Sequence, residues 1–116
     1  MRKTILLTGF EPFAGEKLNS SWEVVRLLDG QVLGDDHVIV SELLPCVFTD
    51  SLRRLEHLIA LHQPVIVLAV GQAGGRAAFS LERVAINLQD AAIPDVHGNQ
   101  PIDQPVIEGA SSAYFS

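Results

Sequence analysis

Several residues stand where their types could do chemistry. In "SLERVAINL", residues 80–88, Glu82, Val84, Ile86 and Leu88 fall on one side of an expected strand. A carboxylate on an otherwise apolar face must be paired, protonated or functional. The alternative to function is a wetted edge face or an ion pair with a nearby arginine. Gln72 lies in "VGQAGGRA", at the carboxyl end of an expected parallel strand, where α/β sheets usually hold ligands. Its amide could serve a neutral polar ligand, or it could be a turn residue facing water. The neighbouring glycines match neither G-x-G-x-x-G nor G-x-x-x-x-G-K-S/T, so the loop is a poor phosphate cradle. Cys46 is either a nucleophile or, between Pro45 and Val47, a small buried hydrophobe. His57 and His62 are five apart and off a common helical face, and the four histidines show no metal-ligand spacing. No G-x-S-x-G elbow occurs. Finally, "LLTGFEPFAG" sets Phe10 and Phe13 around Glu11 and Pro12 in a loop, and an apolar loop needs a core to cover or a ligand to hold.

The elements that must position these residues alternate between strand and helix. "TILLTGF" is a short apolar run ending at a glycine, as a buried strand does. "NSSWEVVRLLDG" predicts a helix with a capping box from Ser20 to Glu23, one face of Trp22, Val25 and Leu28, and a stop at Gly30. "HVIVSELL" is a second strand halted by Pro45. "TDSLRRLEHLIALHQP" predicts a second helix with Thr49 as N-cap, Leu52, Leu55, Leu58, Ile59 and His62 at helical spacing, and Pro64 as terminator. "VIVLAVG" is continuously apolar, which predicts a strand covered on both faces of a largely parallel sheet. "IPDVHGNQPIDQPV" should be a turn or irregular hairpin, and "SSAYFS" reads as if cut within an element. The alternation predicts one α/β domain over residues 1–116, a three-layer α/β/α sandwich with a mostly parallel twisted sheet, incomplete at the C-terminus.

Composition narrows the classes. With 116 residues, 47% hydrophobic and 19% charged, the chain has material for a packed core. The net charge of −6 and the lack of any Lys or Arg run argue against nucleic acid and anionic membranes as partners. No apolar run reaches the ~18 residues of a membrane span, and the start lacks a secretory signal, so a cytoplasmic protein is the expectation. The single cysteine excludes an internal disulfide.

Taken together, "LLTGFEPFAGEKLNSSWEVV", "VGQAGGRAAFSLERVAINL", "AAIPDVHGNQP" and "AYFS" resemble the pyroglutamyl-peptidase I family, also called pyrrolidone-carboxylate peptidases. The resemblance runs from Lys3 to Ser116. It implies a cytosolic cysteine peptidase that removes an N-terminal pyroglutamyl residue from peptides, uses no metal or cofactor, and assembles as a homo-oligomer. It also implies site roles. Phe10 and Phe13 would pack around the lactam ring, Gln72 would lie beside it, and Cys46 and Ile93 would line the same pocket. Glu82 would be the acid of a Cys-His-Glu triad, orienting the imidazole that activates the thiol. Pyroglutamate has no charged α-amino group, so an apolar slot with a few neutral hydrogen-bond partners suits it.

The sequence also departs from the family. The nucleophile motif, like S/T-A-G-x-x-x-C-N, and the histidine motif, like G-F-I-H-x-P, lie in the family beyond the point where this chain stops, and Cys46 stands outside the first. The chain is therefore expected to be an N-terminal half that is inactive alone. Ala92 replaces the arginine of the usual A-R-I-P-D, a donor to the oxyanion whose kind is worth ~100- to 1,000-fold in rate. Pro12-Phe13-Ala14-Gly15 replaces P-F-G-G, and Ala14 is strained if that position requires a positive φ. A noncatalytic, degenerate remnant that binds pyroglutamyl ligands or a protein partner is the alternative reading.

Overall fold

Lys3–Phe10 forms the central strand β1, in which Leu6, Leu7, Thr8 and Gly9 are buried in succession, a pattern that needs cover on both faces. The computed structural model describes residues 2–116, arranged as two compact units, one ending at Gln72 and the other comprising Ala73–Ser116.

In the first unit β1 is followed by helix α1 (Ser20–Val25), a short 3₁₀ turn (Arg26–Leu28), strands β2 (Val32–Leu33) and β3 (His37–Leu44), helix α2 (Asp50–His62) and strand β4 (Ile66–Ala69). The sheet order is β2-β3-β1-β4. β1 runs parallel to β3, from Lys3 opposite His37 to Phe10 opposite Leu44, and parallel to β4, from Ile5 opposite Ile66 to Thr8 opposite Ala69. Only β2 is antiparallel. The chain thus steps from β1 to β3 on one side and returns past β1 to β4 on the other. Right-handed crossovers then require α1 and α2 on opposite faces.

The packing has that form. Leu7 and Ile39 bury against Val25 of α1, with Ile5, Trp22, Leu28 and Val70 around them. On the other face Leu6 and Leu44 bury against Leu58 of α2, with Phe10 and Leu55 beside them. This is the three-layer, mostly parallel α/β arrangement that the alternation of elements predicts.

Local details differ from expectation. Asn19, not Ser20, caps α1: its side chain accepts the Ser21 N–H, and Glu23 pairs with Arg26 at 2.7 Å instead of closing a capping box. Thr49 occupies the N-cap position of α2 but makes no side-chain cap; at φ 69° and ψ −51° it is the centre of a three-residue turn closed by Asp50 N–H to the Phe48 carbonyl at 2.8 Å. On α2, Leu52 and Ile59 remain exposed while Leu58 is buried. β4 is also not covered on both faces. It is the edge of the sheet, and all four of its residues are exposed.

In the second unit β5 (Val84–Ile86) pairs antiparallel with β6 (Ala113–Phe115). The expected strand over 80–88 is only three residues long, which leaves Glu82 and Leu88 outside it. Side-chain hydrogen bonds shape the rest. Asn87 Oδ1 accepts the Val106 and Ile107 N–H groups while its Nδ2 donates to the Ile107 carbonyl. Asp95 Oδ1 accepts the His97 and Asn99 N–H groups, both at 2.9 Å, within an irregular hairpin bridged by Gln89 and Gln104.

A close backbone approach that sets this architecture is at Gly9. A Cβ there would lie 2.8 Å from Trp22 Cα and 2.9 Å from Trp22 N. Gly9→Ala should therefore push α1 off the sheet and lower stability by about 1–3 kcal/mol. Urea unfolding of the variant would show this as a lower midpoint with an unchanged slope.

Candidate functional site

At the carboxyl end of β1 the chain turns outward, and its loop is fastened to the start of α1 by side chains. Phe10 donates its N–H to Ser21 Oγ at 3.0 Å, and Ser21 Oγ donates to Asn19 Oδ1 at 2.6 Å. Asn19 Nδ2 in turn donates to the Glu11 carbonyl at 3.2 Å. Ser21 is buried, so these bonds are shielded from water. The result is an aromatic loop with both ends anchored.

Phe10 from the end of β1, Phe13 and Leu18 from this loop, Cys46 from just after β3, and Gly71 and Gln72 from just after β4 line one cleft of about 360 Å³. Three parallel strands thus deliver residues to it from their carboxyl ends. The sheet order reverses between β1 and β4, which is where open α/β sheets form a ligand crevice. The Gln72 carbonyl oxygen, Oε1, accepts the Ser20 N–H at 2.8 Å. That bond occupies the acceptor of the amide and leaves its nitrogen to donate. Ala14, Glu16 and Asn19 complete the lining, and its apolar side chains beside a neutral amide donor suit a small uncharged ring bearing a carbonyl.

Four expected site residues, Phe10, Phe13, Cys46 and Gln72, are therefore brought together in the first unit. Glu82 and Ile93 belong to the second. Glu82 is not on a strand face: its side chain is 80% exposed and pairs with Arg76 at 3.5 Å, which is the ion pair that the sequence left open as the alternative. Ile93 is 55% exposed. The carboxylate partners of histidines lie elsewhere, His37 with Asp36 at 2.8 Å and His62 with Glu42 at 3.2 Å. Glu11, Asn19 and Ser21, which hold the loop, were missed in the sequence. Asn19 carried a signal, since Asn directly before a helical run is a strong N-cap.

Fold and cleft define an α/β protein with a cleft at the switch point of a mostly parallel sheet. Comparison with known proteins makes the class specific. The pyroglutamyl peptidase family matches residues 3–116. The chain is 56% identical over 114 residues to a pyrrolidone-carboxylate peptidase of Escherichia fergusonii, covering 98% of this chain and 53% of that one. It is 51% identical, with the same coverage, to the Yersinia pestis protein of that name. Among solved structures, pyroglutamyl peptidase I from Bacillus amyloliquefaciens superposes with a TM-score of 0.95 at 51% identity, covering 100% of this chain and 55% of that one. A mutant pyrrolidone carboxyl peptidase from Pyrococcus furiosus gives 0.93 at 43% identity, covering 97% and 54%. The chain belongs to the pyroglutamyl peptidase family, and it spans about half the length of the curated relatives it matches. Among the described residues no helix is long and apolar enough to cross a membrane.

The aromatic loop contains one strained position. Ala14 has φ 57°, directly before Gly15 at φ 78°, so the positive φ suspected from the replacement of a family glycine is present. A left-handed alanine costs about 1 kcal/mol, part of which glycine returns as unfolded-state entropy. Ala14→Gly should raise the thermal midpoint by a few degrees (~1 kcal/mol or less), as differential scanning calorimetry would register.

Proposed function

We propose that this chain carries the N-terminal half of a pyroglutamyl-peptidase active site, and that its cleft receives the pyroglutamyl ring of peptides that begin with this residue. The observation that supports the reading best is the cleft itself: two phenylalanines and one tethered amide at the carboxyl ends of parallel strands, in a member of this family. Phe10 and Phe13 flank the ring, Gln72 donates toward its lactam oxygen, and Cys46 contributes lining; the family resemblance makes Ile93 a further substrate-binding residue. Glu82 is the acid that orients the histidine of a Cys-His-Glu triad and stabilises its charged form. For that role it must exchange Arg76 for an imidazole. Both units are parts of one pyroglutamyl-peptidase-like domain, since the family match runs through their boundary.

In the complete enzyme a cysteine thiolate would attack the pyroglutamyl carbonyl. The C–N bond would break with proton transfer to the leaving amine, and water would then hydrolyse the thioester. Nucleophile and base are proposed to come from the length of the relatives that this chain does not span, so the chain by itself is inactive. We place it in the cytoplasm and expect it to self-associate, because Ile66, Val67 and Leu68 of β4 present an unpaired apolar edge. Ala92 favours a second reading, a noncatalytic remnant that retains ligand or partner binding.

Hydrolysis of a pyroglutamyl aminomethylcoumarin by the purified chain, with and without iodoacetamide, tests the assignment. The expected outcome is no turnover. Alkylator-sensitive turnover would assign the nucleophile to Cys46 and overturn the division of the active site proposed above.

A further inference from the structure

One polar group next to residues of the cleft is not explained by a slot for a neutral ring: the carboxylate of Glu11. The parallel ladder between β1 and β3 ends where Pro45 removes a main-chain donor. Glu11 continues it by other means. Its N–H donates to the Leu44 carbonyl at 3.1 Å, and its Oε1 accepts the Cys46 N–H at 3.1 Å, so a single residue grips the chain on both sides of Pro45. Its own carbonyl accepts Asn19 Nδ2 at 3.2 Å, the same asparagine that caps α1. Glu11 is half-buried, so its bond to the Cys46 N–H is partly shielded from competing water. The two segments it joins both contribute to the cleft lining: the loop that bears Phe10 and Phe13, and the turn that bears Cys46.

We propose that Glu11 is a positioning residue that sets the width of this cleft, latching the Cys46 turn to the aromatic loop so that the slot admits a flat five-membered lactam and disfavours larger rings. The inference rests on the reading of the cleft as a pyroglutamyl site. Glu11 touches no substrate and moves no proton in this role; it acts through the distance between two walls. The acceptor oxygen, more than the negative charge, is what the latch requires.

The test uses the intact chain with Glu11→Ala and Glu11→Gln, and two readouts. The first is binding of pyroglutamate and of its six-membered lactam homologue, 6-oxopiperidine-2-carboxylate, followed by chemical shifts. The second is the rate at which iodoacetamide labels Cys46, the only thiol in the chain. Glu11→Ala should weaken pyroglutamate binding about tenfold, reduce the preference for the smaller ring, and speed Cys46 labelling severalfold. Glu11→Gln, which keeps an oxygen to accept the Cys46 N–H, should restore all three toward the native values. If Glu11→Ala does not fold, Glu11→Asp, one methylene short of the Cys46 N–H, replaces it with the same expected directions. An unchanged ring preference and labelling rate in Glu11→Ala would overturn the latch, as would a glutamine variant that behaves like the alanine one. Failure of the native chain to bind either lactam would sink the pyroglutamyl reading instead, and the labelling rates alone would then decide whether Glu11 holds the Cys46 wall.

Discussion

The contact on which the first unit depends is the seating of α1 on the end of β1. Gly9 removes the Cβ that would meet the backbone at Trp22, and the space it leaves lets Ser21 reach the Phe10 N–H. The last N–H of β1 is thereby satisfied by a helix residue, where a further strand rung would otherwise be needed. Ser21 passes the connection to Asn19, and Asn19 to Glu11. A six-residue helix, too short to hold its shape by propensity, is stabilised by this tie and by Val25 buried against Leu7 and Ile39. The aromatic loop inherits its anchors from the same tie. The cleft is thus a consequence of how closely one helix approaches one strand.

The two units are held by different physics. The first has apolar layers on both faces of β1, with Leu6, Leu58 and Val25 almost wholly out of water. In the second, Asp95 alone is buried, and the chain is organised by carboxylate and amide side chains accepting main-chain N–H groups. Phe79 and Leu81 are more than nine-tenths exposed there. Hydrogen bonds of this kind fix local geometry well but contribute little net stability when water competes for them. Apolar side chains are also left in water on β4, at Ile66, Val67 and Leu68.

Much of the fold was legible in the sequence. The apolar runs at Lys3–Phe10, His37–Leu44 and Ile66–Ala69, the helical face of Trp22, Val25 and Leu28, and the Pro64 terminator all mark elements that formed. These signals are local, arising from side-chain periodicity and from the backbone limits of proline and glycine. The grouping of Phe10, Phe13, Cys46 and Gln72 was legible only through the family resemblance, because the four are spread across the first unit's sequence and composition says nothing of which strand ends adjoin. Ala14 is the instructive case: its replacement of a glycine raised the prospect of strain, and the backbone at φ 57° carries it.

What the sequence by itself determined is the class of fold, the family, and the identity of the apolar and amide residues that line the cleft. Only the tertiary structure decided which strand is an edge, which residue caps a helix, and which oxygen accepts which N–H. Those outcomes depend on pairing partners distant in the chain. β4 reads as a buried strand and is the exposed edge of the sheet; Glu82 reads as a strand residue and lies outside β5. Glu11 and Ser21 gained their roles in the same way, since a side chain in a loop has no period to mark it until the backbone it serves has come within 3 Å or so.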